Sequence, residues 1–399
     1  MKEPVTEHIP PVEDITEADF EPQKPLEATA DDDVMELADA DLEDVDEASE
    51  VREKLKIPFE IQKEKLVEAQ TFRSSNGIEG GISLQKKRER TDADLNQDCV
   101  LIYEDEMLGT GYGVFDGLGG EGEKSSGAFA SAKAVEVLPR HLEEAHRNIL
   151  GSTVRKEFAK LSLIKLNEKT QEAETAKAED YITADLEVMK KAVAIREALK
   201  RSNEDVRETE GKTTACFTLM HTTKDGKRFA ITANIGDGGA ILRRKDGSIS
   251  MLTKEDGALT MYIEKGFLGP SRLELMKAEP TKEFDIAGKM VTYDYLKRAN
   301  TQVLGSSIGV EPRITITELE DGDEVFNVTD GILDFFEDEN GDFDQEALRG
   351  ALKGKTLQER INRLREIADV RSKIKKTEKG ALKDTDDMAI AAMGYAKAA

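Results

Sequence analysis

The chain has 399 residues, 38% hydrophobic and 35% charged, enough for one large domain with appendages or for two ordinary ones. Its net charge is −25, and residues 1–50 carry 19 acidic against 2 basic side chains, so −17 of the total sits in the first eighth. A surface of that sign repels nucleic acid and anionic lipid, which excludes both as expected partners. No run reaches about 18 consecutive apolar residues, and no basic and then apolar leader opens the chain, so neither a membrane span nor a signal peptide is expected. The two cysteines, Cys99 and Cys216, each lie in an apolar run, as reduced core residues of a cytoplasmic protein do.

Residues 1 to about 50 combine Pro, Glu, Asp and Ala with few aromatics, a composition that predicts disorder because too little apolar surface offsets the ordering entropy. The stretch 1–70 is therefore read as an acidic appendage, with a short helix expected within Val51–Ala69. The Ser/Gly-rich Ser74–Gly81 marks a linker over 71–83, and the folded domain is expected over 84–399. Within it, Cys99–Tyr103 and Gly113–Phe115 predict buried strands. Ala128, Ala132, Val135, Leu138 and Leu142 recur at helical spacing, predicting a helix from about Glu123 to His146 that Pro139 kinks or divides. Residues 152–201 predict one or two further helices, part of a helical expansion around 142–210. Strands then dominate: Thr213–His221, Arg228–Asn234, Ala240–Arg243 and Ser248–Leu252, punctuated by Asp-Gly turns. The segment 253–300 is irregular with some helix. Strands return at Ile314–Leu319 and Glu324–Val328, helices near 344–351 and 355–374, and a last strand at Met388–Tyr395. Helices between hairpin-linked strands argue for an α+β layered architecture with antiparallel sheets.

Three segments share one pattern, an apolar strand running into Asp-Gly or Asp between glycines: Asp116-Gly117, Gly236-Asp237-Gly238 and Asp330-Gly331. Two more place aspartates just before an apolar strand, at Asp98 and at Asp384 to Asp387. Strand ends expose backbone ligands beside such carboxylates, and the glycine lets the chain turn and present its carbonyl. Carboxylates converging without cations would repel one another by several kcal/mol at about 4 Å. Oxygen-only ligation favours magnesium or manganese over zinc. Each Asp-Gly taken alone is an ordinary turn, as expected for Asp225, Asp246, Asp256 and Asp321. The neighbouring strand and the order of the segments set the others apart.

That order resembles the metal-dependent protein phosphatase family (PPM, type 2C), and its bacterial branch in particular. The blocks are NQD (96–98), VFDGLGG (114–120), GKTTA (211–215), ANIGD (233–237), VTDGI (328–332) and DDMAI (386–390), and the resemblance covers about 84–397. It implies a four-layer α-β-β-α sandwich with two central, mainly antiparallel sheets. It also implies a protein serine/threonine phosphatase, a hydrolase in which a hydroxide bridging two divalent cations, Mn2+ or Mg2+, attacks phosphorus. Asp116 would bridge both ions with the Gly117 carbonyl on one. Asp330 and Asp386 would complete the second sphere, so that Asp116, Asp330 and Asp386 act catalytically through the activated water. Asp98 would act through a bound water, and Asp237 would serve a weaker third ion. The implied partners are phosphorylated proteins and a cognate Ser/Thr kinase system, in the cytoplasm. None of His8, His141, His146 and His221 sits in an aspartate block, so a Ser-His-Asp mechanism has no candidate.

Three features depart from the family. Leu118 stands where many relatives carry a histidine proposed as the leaving-group acid. Ala93 and Asp94 stand where an arginine holds the substrate phosphate, and Gly238 replaces a usual serine. These departures keep open a second reading, a non-catalytic metal-binding regulatory protein that retains the fold. Other motifs fail on context. Gly117 to Gly122 matches a dinucleotide fingerprint, but Asp116 would face the pyrophosphate. Gly211-Lys212-Thr213 lacks the first glycine of a phosphate loop, and Asp338 to Asp344 has Phe343 where a calcium loop turns on glycine.

Overall fold

The strands of the computed structural model run, in chain order, β1 (Leu66–Arg73), β2 (Ile78–Gln85), β3 (Asp98–Asp105), β4 (Gly109–Leu118), β5 (Ser162–Leu166) and β6 (Ala173–Ala176). They continue with β7 (Lys212–Thr213), β8 (Ala215–Thr222), β9 (Arg228–Ile235), β10 (Gly239–Arg243) and β11 (Ile249–Met251). The hairpin β12 (Phe284–Ile286) and β13 (Lys289–Val291) precedes β14 (Arg313–Leu319), β15 (Glu324–Val328) and β16 (Met388–Tyr395). The helices are α1 (Ser126–Asn148), α2 (Val154–Phe158), α3 (Leu186–Arg207), α4 (Ala258–Glu264) and α5 (Pro270–Ala278). The rest are α6 (Tyr293–Arg298), α7 (Asp330–Leu333), α8 (Gln345–Ala351) and α9 (Leu357–Glu378). The described residues are 66–73, 78–85, 95–119, 126–167, 173–181, 185–336, 343–378 and 387–395.

Two sheets hold the site. One is antiparallel throughout, in the order β1-β2-β16-β15-β10-β11. The other runs β3-β4-β8-β9-β14-β5-β6 with β7 beside β4, and only β5 pairs parallel, against β14. The helices α1 and α3 cover the second sheet, and α7, α8 and α9 cover the first. These are the four layers and two mainly antiparallel sheets that the resemblance implied.

Strand β16 shows why the layers form. Ala389, Ala391, Met393 and Tyr395 join the large core shared by both sheets, while Met388, Ile390 and Ala392 join the core beneath α9. A period-two alternation with both faces apolar specifies a strand buried on two sides. A polar link also bolts the sheets together. Thr218 Oγ1 donates to Asn327 Oδ1 at 2.9 Å, and Asn327 Nδ2 donates to the Tyr112 carbonyl at 2.8 Å, all of it buried.

The strands expected after residue 200 form, with ends within two residues of the expected bounds. Asp225-Gly226, Asp246-Gly247 and Asp321-Gly322 are turns with a left-handed glycine at φ 86°, 85° and 91°. Helix α1 runs unbroken through Pro139, where a kink or division was expected, because its buried face packs on β3, β4 and α3.

Three expectations are corrected. The folded domain reaches back at least to Leu66: most of the linker expected over 71–83 is strand, and the end of the helix expected over 51–69 is β1. The glycines that signalled a loop make room for neighbours instead. A Cβ on Gly80 would lie 1.9 Å from the Tyr112 hydroxyl, and one on Gly81 would lie 2.6 Å from Ile361 Cδ1. The helices expected over 152–201 are interrupted by β5 and β6, because β14 offers an open edge and strand pairing overrides local propensity. The segment 253–300 is more regular than expected. It holds α4, α5, the β12–β13 hairpin and α6 around a small core of Ala258, Leu268, Met276, Ile286, Val291, Tyr293 and Leu296. The disorder expected over residues 1–50 lies outside the described residues.

Candidate active site

Asp98 opens β3 and faces Asp116 in register on β4. Backbone bonds fix Asp116 from the far side: its carbonyl accepts from Thr214 N and Thr213 Oγ1, both at 2.8 Å, and its N–H donates to Thr214 Oγ1 at 3.3 Å. The GKTTA block therefore clamps the strand that carries Asp116. At Gly117 the N–H donates to the Gln97 carbonyl at 3.1 Å, and α1 crosses so closely that a Cβ would lie 2.1 Å from the Gly127 carbonyl. Only glycine fits there, and it leaves backbone exposed beside the carboxylate.

Asp237 is presented by the turn after β9. Gly236 has φ 94°, and its missing side chain is replaced by Thr214, whose Cγ2 is 2.7 Å from where a Cβ would be. Asn300 Nδ2 donates to Asp237 Oδ2 at 2.8 Å. Asp330 begins α7, directly after β15. Thr329 before it donates from Oγ1 to Asp98 Oδ2 at 2.9 Å and accepts from Ala389 N at 3.0 Å.

Three of the expected aspartates meet. Asp116, Asp237 and Asp330 each place a carboxylate oxygen within 4.8 Å of the others. Asp98, 2% exposed, is not one of the three, but it lies opposite Asp116 in register and accepts from Thr329, the residue before Asp330. Asp386 lies outside the described residues. Its neighbour Asp387 is buried, with Oδ2 accepting from Gln97 N at 2.7 Å. Three carboxylates this close repel, and the all-oxygen donor set with a glycine backbone beside it suits hard divalent cations. The cluster contains no histidine. His141 meets Asp205 at 2.8 Å, His146 meets Glu187 at 2.6 Å and His221 meets Lys191 at 2.8 Å, on α1, α3 and β8.

Sequence reasoning missed the residues that hold the aspartates. Thr329 and Asn300 carry no local signal of their roles. Asp256-Gly257, read as an ordinary turn, is instead a buried junction: Asp256 is 1% exposed and Gly257 has φ −81°. Asp256 accepts from Arg313 Nε at 2.6 Å, and its backbone bonds Gly236 and Thr301. Arg313 also grips Glu264 with both terminal nitrogens, which with Lys254 holds that carboxyl down at about 2. The partner that marks Asp256 is 57 residues away. The dinucleotide and phosphate-loop matches stay set aside, since among the described residues β4 has only antiparallel neighbours and Lys212-Thr213 is strand. Both cysteines are buried and outside any disulfide, and burial pushes the Cys216 thiol up. Among the described residues no helix is long and apolar enough to cross a membrane.

Two sheets in four layers that gather aspartates from β4 and two strand-end turns into one acidic centre are the architecture of a phosphatase. The chain belongs to the protein phosphatase 2C family, which it matches over residues 87–366, and is a protein serine/threonine phosphatase. Among solved structures it is similar to the S. agalactiae serine/threonine phosphatase, at 17% identity and a TM-score of 0.49, covering 80% of this chain and 100% of that one. It is similar to the Mycobacterium tuberculosis serine/threonine phosphatase PstP/Ppp at 18% identity and a TM-score of 0.47, covering 79% and 98%. The serine/threonine phosphatase Stp1 from Staphylococcus aureus gives 16% and 0.48, covering 82% and 98%. No curated protein matches the sequence.

Proposed function

We propose that the protein hydrolyses phosphoserine and phosphothreonine in phosphorylated proteins, with Asp116, Asp237 and Asp330 as the side chains that hold divalent cations. The observation that carries this reading is the meeting of the three carboxylates within 4.8 Å. Asp116 would serve both of two Mn2+ or Mg2+ ions, with the Gly117 carbonyl on one of them, and Asp330 with Asp386 would complete the second. Asp98 would act through water, and Asp237 would serve a weaker third ion. When bound, such ions ionise a water for in-line attack and offset charge on the phosphoryl oxygens. The chain's own part is positioning. Thr213 and Thr214 fix the Asp116 backbone, Thr329 orients Asp98, and Asn300 orients Asp237. The substrates imply a serine/threonine kinase that supplies them, and two buried cysteines kept as thiols support a cytoplasmic setting.

Hydrolysis of p-nitrophenyl phosphate and of a phosphothreonine peptide by the full chain, with and without Mn2+, tests the reading. Activity is expected only with the ion and is expected to fall by at least about a thousandfold in Asp116→Asn. Turnover that survives both chelation and this substitution overturns the mechanism. Leu118 and Gly238 favour the second reading, a metal-binding regulatory protein. Calorimetric Mn2+ binding without turnover of either substrate would establish it.

A further inference from the structure

The block Gly211-Lys212-Thr213, which fails as a phosphate loop, lies against the aspartate strand in a way the reading above leaves unused. Strands β7 and β8 oppose β4 in one continuous register: Val114 faces Cys216, Gly117 faces Thr213 and Leu118 faces Lys212. Residues opposite each other on antiparallel strands share a face, and so do alternate residues on one strand. Asp116, Leu118, Thr214 and Lys212 therefore point to the same side of this ribbon. Thr214 identifies that side. Its Cβ and Cγ2 fill the space beside Gly236, and its Oγ1 is 3.9 Å from where a Cβ on Gly238 would stand, so it faces the turn that carries Asp237.

Lys212 sits one alternation beyond Thr214, about 7 Å along the strand, and is exposed on the face that carries Asp116. Its ammonium makes no hydrogen bond or ion pair with any described residue. On the Gly236–Gly238 side of the cluster two described cations are engaged: Lys254 Nζ is 2.9 Å from Glu264, and Arg313 is held by Asp256, whose backbone bonds Gly236, and by Glu264. A phosphate ester brings two negative charges to a centre already built from carboxylates, and the arginine that relatives place before the first aspartate is Ala93 or Asp94 here.

The geometry points to Lys212 as the side chain that holds the substrate's phosphate, its ammonium donating to non-bridging phosphoryl oxygens from the rim beside Leu118. The inference rests on the phosphatase reading. Its compact three-donor head suits a tetrahedral dianion, and its four-carbon stem lets the charge follow the group.

The test uses the full chain loaded with Mn2+, and Lys212→Gln and Lys212→Arg beside the wild type. Inorganic phosphate is titrated by calorimetry, and hydrolysis is followed for p-nitrophenyl phosphate and the less reactive phenyl phosphate. In K212Q, phosphate affinity is expected to fall about tenfold and KM to rise by a similar factor for both esters. K212R should restore most of both, and Mn2+ affinity should stay unchanged in each variant. Unchanged phosphate affinity in K212Q overturns the assignment. A kcat loss that grows from p-nitrophenyl to phenyl phosphate also overturns it, because that pattern marks a proton donor to the leaving group. If the wild type binds phosphate yet hydrolyses neither ester, the phosphatase reading fails, and the calorimetric comparison alone decides the role of Lys212.

Discussion

The Thr329 hydroxyl donates to Asp98 Oδ2 at 2.9 Å and accepts from Ala389 N at 3.0 Å. Asp98 begins β3 in one sheet, whereas Thr329 and Ala389 belong to adjacent strand ends in the other. One buried hydroxyl thus joins the two sheets at the edge where their aspartates meet, and it lies directly before Asp330 in the chain. The spacing between Asp98 and Asp330 is set by this bond as much as by packing.

Thr329→Val keeps the shape and removes both bonds. It leaves the Ala389 N–H without its side-chain acceptor and takes the Thr329 donor from the buried Asp98 carboxylate, which is expected to cost about 2 kcal/mol in urea unfolding. Mn2+ affinity measured by calorimetry should fall as well, since Asp98 and Asp330 lose their common support. A variant as stable as the wild type, with the same Mn2+ affinity, would show that the hydroxyl positions nothing.

Much of this arrangement is legible in the sequence. Asp116, Asp237 and Asp330 stand out because each ends an apolar strand, and β15 and β16 show clear strand periodicity. What is not legible depends on partners far along the chain. Gly80 and Gly81 look like a loop until Tyr112 and Ile361 fill the space that their side chains would take. Residues Ser162–Leu166 look helical until β14 presents an edge to pair with. Asp256 looks like Asp246 or Asp321 until Arg313 arrives from 57 residues away. Local composition encodes which groups can bind cations. The groups that hold those carboxylates in place are fixed by tertiary contacts.

Asp330→Asn separates repulsion from cation binding. With chelator present, removing one of three negative charges within 4.8 Å is expected to raise the melting temperature by about 2 °C. With Mn2+ present, the wild type should gain stability through linkage and the variant should gain little. A variant that melts lower in chelator and still responds fully to Mn2+ would show that the three carboxylates do not act as one cation site.

Arg313 joins Asp256 to Glu264 and so ties the start of the 253–300 segment to β14. Arg313→Met leaves Asp256, 1% exposed, without its counter-charge, and about 3 kcal/mol of stability should be lost. Amide hydrogen exchange is expected to quicken over α4 and Thr301, where the backbone depends on Asp256. The Glu264 carboxyl, now held at about 2 by Arg313 and then Lys254, should move back toward its ordinary value. Exchange that quickens evenly over the whole domain would contradict a local tie.

The outer helix layer carries a different sensitivity. Lys191 Nζ, buried, donates to the Leu108 carbonyl at 2.8 Å and lies 2.8 Å from His221 Nδ1. An ammonium has no acceptor capacity, so the imidazole is neutral with its proton on Nε2. Burial, followed by the Lys191 charge, holds His221 down at about 4, against the pull of Glu187 and Asp185, and burial holds Lys191 down at about 8. Between pH 4 and 6.5 the unfolded chain therefore binds more protons at His221 than the folded chain, and stability rises with pH. From about 8 to 10.5 Lys191 gives a rise of the same sign, because the folded state sheds its proton first. Acidification from pH 6.5 to 4 should cost of order 2 kcal/mol through His221. His221→Gln keeps an acceptor for Lys191 and removes the titration, so its urea midpoint should fall less steeply over that window. Part of the slope should persist, since burial also lowers His146 beside Glu187. Parallel stability curves for the variant and the wild type between pH 4 and 6.5 would mean that His221 is already solvated in the folded protein.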